Sequence, residues 1–332
     1  MSNIAILVVF ALLICSSSVA NSNRLLSRQF LPPPLTGPES LAFDSVGEGP
    51  YTGASDGRIL KYVGPSDGFV EFASSSPCRN KTICDGISDF SEIQKTCGRP
   101  LGLAFNYQTS ELYIADAYFG LMKVPSSGGS PTQVVSCVEG KSFRFLAGLD
   151  IDPQTGVVYF TEASTTYQIR DLPTLLRSGD NSGSLVKFDP CTMETSVLLR
   201  DLAVPSGVAV SKDGSYVLVS EFMANRVQRF WLEGDKQNTS EIFLQLPGKP
   251  DNIKRNSAGD FWVAVNNQVG SPPPSRPPVL PLAVRVDGNG FVLQEVALVE
   301  EYGTEMVSEV QEFNGKLYSA SLDVSYVNVF MP

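Results

Sequence analysis

Carboxylates recur in this 332-residue sequence where short apolar runs end: Glu39, Asp116, Glu162 and Glu221, followed in the same phase by Asn266 and Ser321. Oxygen-bearing side chains gathered from successive repeats onto one rim are the donor set of a hard cation such as Ca²⁺, which takes ~6–8 oxygens, or of a bound amine. Taken singly, each acid is equally suited to capping a turn or accepting a backbone N–H at a strand end. Asp251-Asn252 in PDNIKRN sets a carboxylate beside a carboxamide between two apolar runs, either a ligand pair or an Asx-turn. The sequence contains no histidine. That excludes a Ser-His-Asp triad, a Cys-His pair and a His-ligated zinc, so an acid or base must be Asp, Glu, Lys, Tyr, Cys or metal-bound water.

The elements that carry these residues form a repeat. Second-strand segments begin at Pro50 (PYTGAS), Leu112 (LYIADA), Val158 (VYFTEAS), Tyr216 (YVLVSEF), Phe261 (FWVAVNN) and Leu317 (LYSASL). Their anchors Tyr51, Tyr113, Tyr159, Val217, Trp262 and Tyr318 return about every 53 residues, near the ~40–50 residue period of propeller blades. Third strands follow at GRILKY, FGLMKV, GSLVKF, NRVQRF and LAVRV. Asp152-Pro153-Gln154-Thr155-Gly156, Lys212-Asp213-Gly214 and Asn314-Gly315 supply the positive-φ residues of tight hairpins. These features predict an all-β, six-bladed β-propeller of about four strands per blade, a single domain over residues 21–332. A proline run, Ser271–Pro278, reads as a rigid rim loop inside the fifth repeat, and Pro32-Pro33-Pro34 as the lead-in to the first blade.

Composition narrows the partners. Lys+Arg 25 against Asp+Glu 35 leaves a net charge of −10, the wrong sign for nucleic acid or an anionic membrane. No strand–Gly-x-Gly-x-x-Gly–helix pattern occurs, so no nucleotide cofactor is expected and the partner is a small molecule. Ile4–Cys15 is a 12-residue apolar run ending at Ser18-Val19-Ala20, read as a secretory signal over residues 1–20 and too short to span a bilayer. The mature chain is thus expected in the secretory pathway without stable membrane insertion. Cys78, Cys84, Cys97, Cys137 and Cys191 then remain, an odd number; Cys84 and Cys97 could close a short loop. Asn80-Lys81-Thr82 and Asn238-Thr239-Ser240 are glycosylation acceptors.

The segments YTGASDGRILKY, CGRPLGLAFN, LDIDPQTGVVYFTEAS, VSKDGSYVLVSEF and NIKRNSAGDFWV resemble plant strictosidine synthase and its strictosidine synthase-like relatives, from about Glu39 to Phe330. The resemblance implies a six-bladed propeller, a Cys84–Cys97 bridge and a vacuolar destination, with the endoplasmic reticulum or cell exterior as alternatives. The synthases condense tryptamine with secologanin in alkaloid biosynthesis. The family is similar, more distantly, to calcium-dependent paraoxonase and gluconolactonase hydrolases.

Anchoring the synthase catalytic motif on Glu309-Val310-Gln311-Glu312-Phe313-Asn314-Gly315-Lys316-Leu317-Tyr318 places its glutamate at Ser308 and a synthase histidine at Met306. A hydroxyl lacks the base strength to deprotonate an amine and then a ring carbon, and Glu309 lies one strand step away, on the other face. Glu305 is the substitute within reach of a rearranged loop. Against the hydrolases, Glu39 and Asp251-Asn252 match calcium ligands, whereas Ser206 and Ala147-Gly148 stand where ligand amides are expected. The expected function is therefore small-molecule chemistry in the propeller's mouth, among Glu39, Asp116, Glu162, Glu221, Asp251, Asn252, Glu305, Met306 and Ser308. Ester or lactone hydrolysis ranks ahead of amine–aldehyde condensation, and a metabolite-binding propeller without turnover is the alternative from another class.

Overall fold

The computed structural model describes residues 24–268 and 279–331. The signal segment and the proline run Ser271–Pro278 lie outside the described residues. Within them are six four-stranded antiparallel sheets, arranged as the blades of a propeller. The second strands of the blades are Tyr51–Gly53, Glu111–Asp116, Val158–Glu162, Tyr216–Glu221, Phe261–Gln268 and Lys316–Ala320. All six fall on the repeat segments read from the sequence.

Burial decides which runs take which place. First and second strands sit between neighbouring blades, so both of their faces must be apolar or small. Pro205–Val210 (PSGVAV) and Tyr216–Glu221 are accordingly buried at every position. Outer strands such as Ser240–Gln245 face water and carry polar residues. Between blades two and three, Tyr113 and Leu121 meet Phe160 and Phe188 in one cluster. Each such fully buried side chain contributes about 1.5–3 kcal/mol. The hairpin joining Glu309–Phe313 to Lys316–Ala320 turns on Asn314 (φ 48°) and Gly315 (φ 70°), the paired positive-φ residues of a type I′ turn.

First strands line the axis and pack side by side around it. They approach so closely that a Cβ on Gly148 would sit 2.2 Å from the Ser206 carbonyl oxygen, and one on Gly207 would sit 2.6 Å from Asn252 Cα. Only glycine allows that approach.

Ring closure differs from the expectation for Pro32-Pro33-Pro34. The chain preceding that run is itself a blade element: Arg24–Phe30 pairs antiparallel with Tyr326–Met331 as the outer strand of blade six. The prolines carry the chain from the last blade to the first, and Arg24–Phe30 and Tyr326–Met331 are locked in one sheet. Between blades one and two, an insertion is tied down by a Cys84–Cys97 disulfide. Arg99, fully buried, holds the same insertion through Asp89 Oδ1 at 2.5 Å and the Gly37 carbonyl at 2.8 Å. Cys78, Cys137 and Cys191 are exposed and unbridged.

Candidate functional site

Each blade contributes one residue, at or just before the start of its first strand, to one mouth of the axial channel: Glu39, Leu101, Ala147, Ser206, Asp251 and Ser308. Taken in order round the axis, Ser206, Asp251, Ser308 and Glu39 form a polar arc of four, and Leu101 and Ala147 an apolar arc of two. Above this ring lies a cavity of about 80 Å³ with walls from Phe145, Phe222 and Met306. Its roof is Ile169, Leu172 and Leu176, from a 3-10 turn and the helix Leu172–Ser178 inserted between the second and third strands of blade three. Pro173 opens that helix and Gly179 (φ 70°) ends it, so its short length is written in the sequence.

Asp251 is the chemical centre of the ring. Its carboxyl lines the cavity floor and accepts a hydrogen bond from the Ser308 hydroxyl, with the Ser206 hydroxyl, which donates to the Pro250 carbonyl at 3.3 Å, beside it. Burial, then the negative charge of Glu309, push its pKa up to about 8; the two hydroxyls pull the other way. Glu39 is also raised, by burial and by the charges of Asp251 and Glu309, against the opposing pull of Arg99. Glu39 Oε1 accepts from Asn252 Nδ2 at 2.9 Å, while its buried Oε2 has no hydrogen-bond partner among the described residues. Ser308 Oγ accepts the Leu322 N–H at 3.0 Å, which fixes the hydroxyl while it donates to Asp251. Glu309 points away from this cavity, as strand alternation requires, and accepts the Leu41 N–H at 2.6 Å.

The structure separates the other acids from this group. Asp116, Glu162 and Glu221 end the second strands of blades two, three and four and do not line the cavity. Each accepts a backbone N–H from the chain entering its own blade: Arg99 at 2.7 Å, Arg144 at 2.9 Å and Ala203 at 2.9 Å. Glu221 is further bound by Arg226 and Gln228, both at 2.6 Å. Burial lifts Glu162 to about 7 and raises Asp116. These carboxylates brace the blade ends. Asn266 and Ser321 do the same for the segment carrying Met306 and Ser308, Asn266 through both backbone groups of Val307 and Ser321 through the Met306 carbonyl. Glu305 sits in the turn after the short helix Val299–Tyr302 and does not line the cavity. Asp251 and Asn252 are strand residues rather than an Asx-turn: they lie within Lys249–Arg255, and the Asn252 N–H donates to the Ser308 carbonyl at 2.9 Å.

Sequence reasoning named Glu39, Ala147, Ser206, Asp251 and Ser308 but grouped them with acids at second-strand ends, and it did not single out Leu101 or the common place of all six at first-strand starts. Its signal was available as the residue preceding Gly or Asn in PLGL, LAGL, PSGV and PDNI.

Calcium is the ion expected from the sequence at Glu39, Asp251 and Asn252. The unpartnered Glu39 Oε2 and the Asp251 carboxyl favour it, but they occupy one side of the ring. Leu101 and Ala147 supply no side-chain oxygen on the other side, and Asn252 turns its Nδ2 toward Glu39. Among the described residues no group of three acidic, His or Cys side chains is placed to hold a metal. The donor set does not fit a cation that takes ~6–8 oxygens.

The fold is thus a six-bladed propeller whose axial mouth has an acidic floor and an apolar roof. Two family models match: "Strictosidine synthase" over residues 147–235 and "Strictosidine synthase-like, N-terminal" over residues 20–62. Protein STRICTOSIDINE SYNTHASE-LIKE 11 of Arabidopsis thaliana is 44% identical over 321 residues, covering 95% of each chain. Strictosidine synthase of Catharanthus roseus is 38% identical over 311 residues, covering 92% of this chain and 87% of its own. The chain belongs to the strictosidine synthase-like family. In fold it is similar to a gluconolactonase from Xanthomonas campestris (TM-score 0.64, 16% identity, 94% and 90% covered). It is likewise similar to regucalcin, described as a calcium-binding protein, from Agrobacterium tumefaciens (TM-score 0.63, 14% identity, 92% and 93% covered).

Proposed function

We propose that this protein is a small-molecule hydrolase of the axial mouth, acting on an ester or lactone with Asp251 as base. The observation that carries the reading is the Asp251 carboxyl on the cavity floor, flanked by the hydroxyls of Ser206 and Ser308 beneath an apolar roof. An apolar acyl or ring portion lies against Phe145, Phe222 and Leu172. Ionised Asp251 takes a proton from a water molecule as its oxygen bonds to the carbonyl carbon. The Ser308 hydroxyl, released from the carboxylate as that proton arrives, is free to donate to the developing oxyanion. Collapse breaks the C–O bond, and the leaving alkoxide takes the proton from Asp251. Gluconolactonases among the fold relatives make the chemistry compatible with the scaffold.

A second reading, condensation of an amine with an aldehyde, gains support from one observation. Ser308 stands at the synthase glutamate's position, yet a carboxyl from the neighbouring blade reaches its hydroxyl. The secretory route, with the vacuole as destination, is also part of the proposal. It is supported by the Cys84–Cys97 bridge, since disulfides persist in oxidising compartments, and by the exposure of Asn80 and Asn238.

The test is a panel of aryl esters and δ-lactones, run beside tryptamine plus secologanin, on wild type and Asp251→Asn. Ester or lactone turnover that falls about 100-fold or more in the variant supports the hydrolase. Condensation without hydrolysis puts the second reading first. Turnover with neither set overturns both and leaves a binder.

A further inference from the structure

The first strands end at the opposite mouth of the channel, and that mouth is closed off from the acid-floored one. The Lys254 ammonium, only 9% exposed, lies between Glu309 Oε2 and the Leu103 carbonyl, 3.4 Å from each. Beyond it opens a cavity of about 330 Å³, bounded by the ends of the first strands of blades one, two, three, five and six. Strand alternation points Gln311 and Phe313 of blade six to the same side as Glu309.

The hydrogen-bonding inventory of this cavity is lopsided. Each of its carboxylates already accepts at least one hydrogen bond. Asp150 accepts the Ile151 N–H at 2.9 Å and the Val210 N–H at 2.8 Å. Glu312 Oε2 accepts Asn256 Nδ2 and Trp262 Nε1, both at 2.9 Å. Its cations are not saturated. Arg255 uses only Nε, on the Val210 carbonyl at 2.9 Å, and Lys254 makes two long contacts with three protons to give. Gln311 Oε1 is buried without a hydrogen-bond partner among the described residues. A ligand that completes the cavity must accept from Lys254 and Arg255 and donate to Gln311 Oε1. Two cations beside the three carboxylates of Asp150, Glu309 and Glu312 leave no surplus positive charge for an anion, and the carboxylates are covered by their own partners, so the unsatisfied donors of Lys254 and Arg255 are what a bound cation would meet. A hydroxyl is the neutral group that both accepts and donates. The wall supplies a surface for a C–H face: Phe43 and Phe313 stack at 3.9 Å, and Tyr107, 51% exposed, hydrogen-bonds its OH to the Phe43 carbonyl.

We infer that this second axial mouth is a separate binding site for a neutral, hydroxyl-rich small molecule of the sugar or cyclic-polyol class. It does not rest on the hydrolase reading, because Lys254 separates the two cavities. Saturation-transfer NMR and isothermal titration on the full chain test it, with methyl β-glucopyranoside, myo-inositol, gluconate and cyclohexanol as probes. Melting temperature is avoided because polyols stabilise proteins by exclusion from their surface. The expected result is millimolar binding of the first two probes, weaker gluconate and no cyclohexanol. Gln311→Leu and Arg255→Gln should each weaken binding about 5–10-fold, as loss of one hydrogen bond to a neutral or charged partner does. Asp251→Asn should bind as wild type, and circular dichroism should show both mouth variants folded. Tighter gluconate would make this an anion site, equal cyclohexanol an apolar cleft, and either result overturns the proposal. So does an absence of binding by the hydroxyl-rich probes, or wild-type affinity in both mouth variants.

Discussion

Asp251 keeps its proton to about pH 8 because burial withholds water from its charge and Glu309 adds a second negative charge nearby. The sign of two effects follows. As a catalytic base it works ionised, so hydrolysis should climb roughly tenfold per pH unit below about 8 and level off above it. For stability the direction reverses. A carboxyl raised in the folded state contributes stability that is whole below the unfolded value of about 4 and is lost as pH rises through about 8. Asp251→Asn should therefore abolish turnover while raising the melting temperature at pH 9 and leaving it unchanged at pH 4; pH-rate profiles and thermal melts at the two pH values check this. An equal melting shift at both pH values would show that the carboxyl carries no such strain. At this scale the sequence was legible in part. Asp251 stood out by its neighbour Asn252, but Asp116, Glu162 and Glu221 looked equally chemical. An acid ending a second strand and an acid starting a first strand are the same letters. What separates them is a backbone N–H within reach, Arg99, Arg144 or Ala203 in these cases, and that depends on how the chain enters the blade.

The strand Arg24–Phe30 shows what a repeat search reads and what it misses. Second and third strands recur with aromatic anchors and turn residues, so six blades were countable. Closure joins residues about 300 apart, and no local pattern announces that Arg28 Nε will donate to Asn328 Oδ1 at 3.0 Å or stack its guanidinium 4.1 Å over the Tyr326 ring. The outer strand of the last blade simply lies at the other end of the text. Its role predicts an asymmetric pair of variants. Arg28→Ala removes the hydrogen bonds to Asn328 Oδ1 and the Glu301 carbonyl and a cation–π contact, about 1–3 kcal/mol together, and should lower the melting temperature modestly. Deleting residues 24–30 strips the whole ladder from Tyr326–Met331 and leaves a bare edge next to the joint of the ring. That chain should lose cooperativity in thermal unfolding and associate on size-exclusion chromatography. A deletion no worse than Arg28→Ala would mean the ring is closed by its blade-to-blade core alone.

Across the whole molecule, one axis carries two chambers of different character with a buried lysine between them. The net charge of −10 makes calcium the natural ion to try, yet long-range attraction only gathers ions and does not build a cage. Coordination needs oxygens all around the ion, and two of the six ring positions at the acid-floored mouth are carbon: Leu101 and Ala147 face Asp251 and Ser308 across it. At the other chamber's inner end the place of a cation between the Leu103 carbonyl and Glu309 is filled by the Lys254 ammonium, which leaves with no change in salt or chelator. Both arguments point the same way. An ion held with a dissociation constant near 50 µM would, at 5 mM, stabilise the fold by about 2.7 kcal/mol, several degrees in melting temperature. The expected shift on adding 5 mM calcium to chelator-treated protein is within experimental scatter, with activity against the ester panel unchanged. A several-degree rise that Asp251→Asn removes would mean that water and backbone carbonyls complete the ring, and the base assigned to Asp251 would then be a metal ligand. Lys254→Met separates the chambers' contributions. It uncovers Glu309 and Asp150 to each other, so any calcium response confined to that variant would locate the ion where the ammonium now sits.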